Sequence, residues 1–205
     1  MAVQLNFINQ SNDAGNSQVV IFQKNVAVNF DETAIAWRVI SRCGVGDSHP
    51  FAFPLSMTVS ATDSWGNYTP LIAAAHGSLH HVAMTGSGVT LSPCGQASSN
   101  REVQVRNDLP AGAINASIYK DGRLLAQKTQ VAPGQKAVFG FNPGIWIGIA
   151  PQVEPGDVLN ASIVSGANTE LSLLGIASAD IVMTGGGPGK DAPPFSFSLQ
   201  NIRMA

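Results

Sequence analysis

The sequence has few charged residues and no cluster of positive charge. Charged residues make up 12% of the 205 positions, against about 25% in an ordinary soluble protein. The 11 Lys and Arg are scattered along the chain, and the formal net charge is −2. Nucleic-acid binding requires clustered Lys and Arg, so nucleic acid is excluded as an expected partner. Weak charge repulsion also favours self-association, and we expect a homo-oligomer.

Long apolar runs and secretory signals are also missing. No run approaches the roughly 18 residues that a membrane-spanning helix requires, so we expect no membrane span. The opening "MAVQLNFINQ" has neither the basic segment nor the continuous apolar segment of a signal peptide. The sequence therefore predicts a cytoplasmic protein, or one that is exported without a classical signal peptide.

The chain has only two cysteines, Cys43 and Cys94. They form no C-x-x-C motif and no Cys/His zinc spacing. We expect two buried, inert thiols. A disulfide between them is the alternative, but it requires an oxidising compartment.

The motifs of common catalytic sites are absent. The sequence has no G-x-S-x-G nucleophile motif. The segment "GGGPGK" (185–190) looks like a phosphate-binding loop, but Thr184 stands where that motif begins with glycine. Asp191 stands where a phosphate loop has Ser or Thr for the metal ion. We therefore expect a protein without enzymatic activity and without a cofactor.

The residues that are present favour short strands. In "VQLNF" (3–7), apolar and polar residues alternate with a period of two. Asp-Gly in "DGR" (121–123) predicts a hairpin turn, and Pro-Gly in "APGQ" (132–135) predicts a type II turn. Further strands are expected at "AVFGF", "IWIGIA", "ASIVSG" (161–166) and "FSFSLQNI". The fold class is all-β, with sandwich-like units.

Three pairs of similar segments recur in the same order along the chain. They are "QVVIFQK" with "NASIYKD", "IAWRVI" with "GIWIGI", and "HVAMTGSG" with "DIVMTGGG". Their offsets are 97, 109 and 99 positions. The recurrence predicts an internal duplication into two tandem β-sandwich-like repeats, residues 1–97 and 98–205. The repeats either pack around a pseudo-two-fold axis or merge into one larger sandwich.

One loop of the first repeat carries two aromatic residues among polar ones. In "SATDSWGNYTPL", the rings of Trp65 and Tyr68 stand beside Asp63 and Asn67. An exposed ring can stack on the C–H groups of a sugar while the carboxylate and amide bind hydroxyls. These four residues are our candidate ligand-binding site. Trp and Tyr also anchor protein interfaces, and Trp65 folded back over the end of the sandwich is a further alternative.

All four histidines lie in the first repeat, and three of them lie close together in "AAAHGSLHHVAMTG". A hairpin that turns at "GS" would place His76 and His81 on one face, with His80 next to them. We name these three as candidate ligands for Zn²⁺ or Ni²⁺, with His49 or Asp47 as an additional ligand. The alternative is that they are ordinary strand and turn residues.

The leading functional interpretation is a non-catalytic binding or assembly protein. Its loops would recognise a carbohydrate, a cell surface or a protein partner. A self-assembling structural protein and a metal-dependent enzyme are the two alternatives. Exposed Trp65 and Tyr68 would favour the recognition role, and convergent imidazoles would favour the enzyme.

Overall fold

The computed structural model describes residues 2–27, 34–167 and 169–205, which form sixteen strands and one short helix. The strands are β1 (Ala2–Asn9), β2 (Val19–Phe22), β3 (Arg38–Ile40), β4 (Ser48–Pro54), β5 (Met57–Thr62), β6 (Ile72–Ala74), β7 (Ser78–Thr85), β8 (Gly88–Gln96), β9 (Glu102–Asn107), β10 (Ile114–Lys120), β11 (Arg123–Val131), β12 (Lys136–Gly140), β13 (Gly144–Ile149), β14 (Thr169–Ser172), β15 (Ile176–Thr184) and β16 (Ser196–Met204). The helix is α1 (Ala161–Gly166). The predicted all-β class is confirmed. No helix in the described ranges is long and apolar enough to cross a membrane.

The described residues divide into two compact units, each with two four-stranded sheets. Unit 1 contains residues 2–23, 34–55 and 142–205 apart from position 168, and unit 2 contains residues 24–27 and 56–141. Sheet A (β16-β15-β1-β4) and sheet B (β14-β13-β2-β3) lie in unit 1. Sheet C (β12-β9-β7-β8) and sheet D (β11-β10-β5-β6) lie in unit 2. One pair in sheet A, β1 with β15, and one in sheet C, β7 with β9, is parallel.

The core of unit 1 contains the inward-facing apolar residues of its strands and a cluster of aromatic rings. Val3, Leu5 and Phe7 of β1 are buried and Gln4 is exposed, as expected for a strand with one face inward. Trp37 leads into β3 and is almost fully buried. Its ring lies edge-on to Phe53 of β4, with 5.3 Å between ring centroids, and 6.4 Å from Phe51. This cluster joins sheet A to sheet B.

Both turns that the sequence predicts are present in unit 2. Asp121 and Gly122 link β10 to β11 with φ values of 52° and 67°, the positive pair that a two-residue hairpin turn requires. In the second turn, Gln135 N–H donates to the carbonyl of Ala132 at 3.0 Å, and Gly134 has φ 78°. A positive φ at this position is typical of a type II turn.

The strand predicted over residues 161–166 is wrong, because this segment forms α1. Asn160 caps the helix, and its side-chain oxygen accepts a hydrogen bond from Ile163 N–H at 2.9 Å. Asn is among the best residues at this position because its oxygen satisfies a free N–H of the first turn. Here the cap outweighs the strand preference of Ile163 and Val164.

The two thiols are free, but they are not both buried. Cys43 is half-buried, whereas Cys94 is exposed on β8, an edge strand of sheet C. The expectation of burial is therefore wrong for Cys94 and met only in part for Cys43. Burial raises the pKa of the Cys43 thiol, and the nearby Asp47 carboxylate raises it further.

The compact units do not coincide with the predicted repeats 1–97 and 98–205. The first repeat contains β1–β8 and the second contains β9–β16. Unit 1 combines β1–β4 with β13–β16, while unit 2 combines β5–β8 with β9–β12. Hydrogen bonds between β1 and β15 and between β7 and β9 tie the two parts of each unit together. Each half of the chain therefore supplies four strands to each unit.

Candidate functional site

The candidate loop joins β5 to β6 in unit 2 and is shaped by one carboxylate. Asp63 accepts hydrogen bonds from the backbone N–H groups of Trp65 and Asn67, both at 2.9 Å. It also accepts one from the Asn67 side-chain amide at 3.0 Å. Gly66 closes the turn with φ 86°, and its N–H donates to the Asp63 carbonyl at 3.1 Å. The turn is held in place by its own short-range hydrogen bonds.

The Asp63 side chain is therefore occupied with the turn itself. The residue is only 7% exposed. The hydrogen bond from the Asn67 side chain, followed by bonds from the backbone, lowers the pKa of its carboxyl, while desolvation opposes this effect. Hydrogen bonds to the ionised form stabilise that form. The sequence assigned Asp63 and Asn67 to ligand hydroxyls, whereas the structure places their hydrogen bonds within the turn.

The aromatic side chains of the loop project into solvent. Trp65 is 72% exposed and Tyr68 is 74% exposed, so of the alternatives that the sequence left open, the exposed position of both rings is the one observed. Leu71 is also exposed three residues after Tyr68. Thr69 anchors the base of the loop, because its hydroxyl accepts a hydrogen bond from Ala61 N–H at 3.0 Å. Exposed rings on a fixed turn form a small apolar surface with little conformational freedom to lose on binding.

Trp65 lies beside the loop that joins β9 to β10. A Cβ added at Gly112 would lie 3.0 Å from Oγ of Ser64 and 3.9 Å from Cζ3 of Trp65. Gly112 also has φ 90°, a conformation that residues with a side chain rarely adopt. The close approach of the two loops at this point therefore requires glycine.

Asn107, at the end of β9, fixes the β9–β10 loop. Its buried amide donates to the carbonyls of Gly112 and Val131, both at 2.9 Å. Its side-chain oxygen accepts a hydrogen bond from Leu109 N–H at 3.0 Å. The amide thus holds the loop against Trp65, although the sequence pattern did not single it out.

A charged cluster flanks the start of the same loop. Arg106 grips Asp108 with two hydrogen bonds, from Nε at 2.6 Å and from Nη2 at 2.7 Å. His81 Nδ1 lies 2.9 Å from the same carboxylate. An ionised carboxylate only accepts hydrogen bonds, so Nδ1 carries the hydrogen. The Arg106 guanidinium in particular lowers the pKa of the Asp108 carboxyl. A polar "RND" at the end of a strand was the only sequence signal for this cluster.

The structure does not bring the three predicted metal ligands together. His76 donates from Nδ1 to the Arg101 carbonyl at 3.2 Å, and His81 is bound to Asp108. His80 is buried, since successive residues of a strand point to opposite faces. The expected hairpin is absent because β6 pairs in sheet D while β7 pairs in sheet C.

Burial also lowers the pKa of His80, and its Nδ1 has no hydrogen-bond partner among the described residues. No group of three or more His, Cys, Asp or Glu within residues 2–27, 34–167 and 169–205 is arranged to hold a metal ion.

Comparison with known proteins gives a family and no further relatives. No curated protein and no solved structure matches the chain. The family model described as RhiA matches residues 1–178, which is most of the sequence and includes all of unit 2 and unit 1 as far as residue 178. The chain therefore belongs to the RhiA family.

Proposed function

We propose that this protein is a non-catalytic recognition protein that binds carbohydrate through the β5–β6 loop. The observation that carries the proposal is the exposure of Trp65 and Tyr68, at 72% and 74%, on a turn fixed by Asp63. Large exposed rings are costly in water. Their retention on a rigid turn supports a role in contact with a ligand.

The two aromatic rings supply the contact area in this proposal. A ring can stack on the C–H face of a pyranose, and the indole N–H and phenol hydroxyl can bond to its hydroxyl groups. Asp63 and Asn67 contribute indirectly by fixing the positions of the rings. Such preorganisation improves affinity because little order has to be imposed on binding.

The test uses the indole of Trp65 as its own reporter. Of the three tryptophans, Trp65 is the exposed one, while Trp37 is buried and Trp146 is half-buried. Acrylamide quenching of indole emission is measured with and without neutral hexasaccharides of glucose, mannose, xylose and galactose. We expect at least one saccharide to shield Trp65 and to blue-shift its emission.

A matched pair of variants separates stacking from shape. Trp65→Phe keeps a ring for stacking, and Trp65→Ala removes it. Both Trp65 variants lack the reporter indole, so binding by all variants is measured by isothermal titration calorimetry. With Tyr68→Ala as a second site, we expect retained binding in the first variant and a loss of about tenfold or more in the other two. Saccharide binding that is equal in Trp65→Ala and the wild type would refute the proposal.

Self-assembly is a second candidate, favoured by the free edge of sheet A. β16 is an edge strand with nine residues, and its end carries exposed Ile202 and Met204 beside exposed Leu174. Long edge strands with apolar side chains offer unpaired backbone groups to another chain. Light scattering across a hundredfold concentration range tests this candidate. A stable oligomer that Ile202→Lys dissociates would support it, and a monomer throughout would refute it.

A further inference from the structure

An open groove lies on the outer face of sheet A in unit 1, and none of its lining residues is a candidate ligand or metal residue of the sequence. Its volume is about 810 Å³, within the range of small-molecule sites, roughly 300–1,000 Å³. β4, β1, β15 and β16 supply the lining. The floor belongs to strands whose opposite faces carry buried apolar residues, so the groove has a rigid base.

The strand register arranges the groove residues in two rows. In the first row, Asn6 of β1 lies between Pro50 of β4 and Asp180 of β15. In the second row, Gln4 lies between Ala52 and Ser178, and Ser178 pairs with Arg203 of β16. Neighbouring strands are about 4.8 Å apart, and residues two apart along a strand are separated by about 6.8 Å. The face therefore presents a grid of hydrogen-bonding groups.

A bulge in β16 completes the first row. Between the pairs Ser178–Arg203 and Asp180–Gln200, β16 has one residue more than β15. Asn201 lies in this bulge with φ 49°. Its amide donates to Oδ2 of Asp180 at 2.6 Å, and bulges commonly redirect a side chain in this way.

Asp180 is thus the centre of a polar network. Asn6 donates to Oδ1 of Asp180 at 3.3 Å, while Asn201 donates to Oδ2. Each amide group has two N–H donors and one oxygen, so one bond to Asp180 saturates neither. Each amide therefore keeps one N–H and its oxygen for a ligand.

The charge of the groove identifies the class of ligand. Asp180 and Arg203 are its ionisable lining residues and carry opposite charges. Three amides and the hydroxyl of Ser178 make up the rest of the polar lining, with Pro50 and Ala52 as an apolar side. We propose that this groove binds a second, uncharged polyhydroxylated ligand, a neutral oligosaccharide. The apolar side would contact its C–H groups, and the two rows would bind its hydroxyls.

The side-chain amides of the groove allow a direct test by NMR on the full-length protein. Neutral hexasaccharides of glucose, mannose, xylose and galactose are titrated, with hexagalacturonate as the charged counterpart. We expect a neutral hexasaccharide to shift the side-chain N–H signals of Gln4, Asn6 and Asn201. Shifts caused by hexagalacturonate alone, or the absence of shifts at these amides, would overturn the proposal.

Variants distinguish this groove from the β5–β6 loop. Asp180→Ala and Asn6→Ala should each weaken groove binding by about tenfold or more. Ser198→Ala is the control, because Ser198 is an exposed polar residue of β16 in the same sheet and does not line the groove. Binding that Trp65→Ala abolishes and Asp180→Ala leaves intact would sink the groove while leaving the loop proposal standing. The reverse pattern would keep the groove and refute the loop proposal.

A second inference follows independently from strand order. When every strand number is advanced by eight, with β1 following β16, sheet A becomes sheet C and sheet B becomes sheet D. The parallel and antiparallel pairings correspond throughout. We infer that the chain is a duplication of one eight-strand unit whose copies have exchanged their second halves. In sheet A, the pairing of Met204 with Ile176 and the direction of β1 place Met204 and Ala2 at the start of β15.

The connection between β8 and β9 in sheet C is the counterpart of this junction and sets the linker length for the test. β8 and β9 flank the start of β7 and are joined by the five residues 97–101. A circular permutant that starts at Ser98 and joins Ala205 to Met1 through three added residues copies this length. We expect it to fold with a melting temperature within about 5 °C of the wild type. Failure to fold, or folding only with a longer eight-residue linker, would overturn the correspondence.

Discussion

Removal of the Asn107 side chain should destabilise unit 2 and release the β9–β10 loop that lies beside Trp65. Asn107 is fully buried, and its side chain makes three hydrogen bonds, to Gly112, Val131 and Leu109. Asn107→Ala removes all three at once. The variant leaves two carbonyls and one N–H without their partner in a buried place.

The size of the effect follows from those three groups. Each buried polar group that loses its partner costs about 1–3 kcal/mol, less where water can enter. For three such groups we expect a loss of about 4 kcal/mol in the free energy of unfolding. In a chain of this length, that corresponds to a fall of roughly 8–16 °C in melting temperature.

Urea unfolding followed by far-UV circular dichroism measures the loss, and indole emission reports Trp65 beside the released loop. Asn107→Asp is the matched variant, since it keeps an acceptor for Leu109 N–H and faces the two carbonyls with a charged oxygen. We expect it to be at least as unstable as Asn107→Ala at pH 7. Its instability should recede as the pH falls, because the protonated carboxyl can donate. A loss below about 1 kcal/mol in Asn107→Ala would refute the reasoning.

Three further predictions concern burial, packing and pH. Lys120 is 6% exposed, and burial lowers its pKa to about 8. In the unfolded protein the Lys120 amine binds its proton more tightly than in the folded protein. The free energy of unfolding should therefore rise as the pH increases from about 8 to 10.5. In Lys120→Met this rise, up to about 3 kcal/mol in urea titrations, should disappear. Gly148→Ala should destabilise unit 1 by about 2 kcal/mol or more in thermal melts, because an added Cβ would overlap the backbone of Ala167. The pKa of the Asp63 carboxyl is lowered in the folded protein, so its ionised form stabilises the turn and this stabilisation is lost as the pH falls. Near-UV circular dichroism should show Trp65 losing its fixed environment below about pH 4, and Asp63→Asn should lack this transition.

The parts of the fold that depend on local chemistry were predictable from sequence. Asp121-Gly122 and the Pro-Gly turn before β12 appear as expected, because positive φ at these positions selects glycine. Exposure of the Trp65 and Tyr68 rings was one of the alternatives that their polar, Gly-containing surroundings left open. Local sequence determines such features without help from the rest of the chain.

The features that depend on distant pairing were not predictable. "GS" after His76 looks like a hairpin turn, but β6 and β7 leave it for different sheets. Nothing local in β7 indicates that its parallel partner is β9. The two segments with Met-Thr-Gly hold matching places in the strand order of their sheets, as β7 and β15. The similar segments of β2 and β10 also hold matching places. The pair Trp37 and Trp146 does not fit the same correspondence, since it joins the lead into β3 to β13.

The candidate site shows the same division between local and distant effects. The sequence indicated Asp63 and Asn67 as ligand-binding residues, but their hydrogen bonds hold the turn itself. The groove of sheet A was not predictable from sequence, because Asn6, Asp180 and Asn201 lie far apart in the chain and meet only through strand pairing. A polar residue on a strand looks like ordinary solvent-facing surface until its neighbours across the sheet are known.

Binding to an array of immobilised glycans is the most direct test of the central claim of carbohydrate recognition without catalysis. The full-length wild type and the Trp65→Ala/Tyr68→Ala double variant are applied side by side, and the bound glycans are then analysed by mass spectrometry. We predict that the wild type binds neutral glycans, that the double variant binds more weakly, and that the masses of the glycans do not change. Equal binding by both proteins, no binding by either, or cleaved glycans would contradict the account.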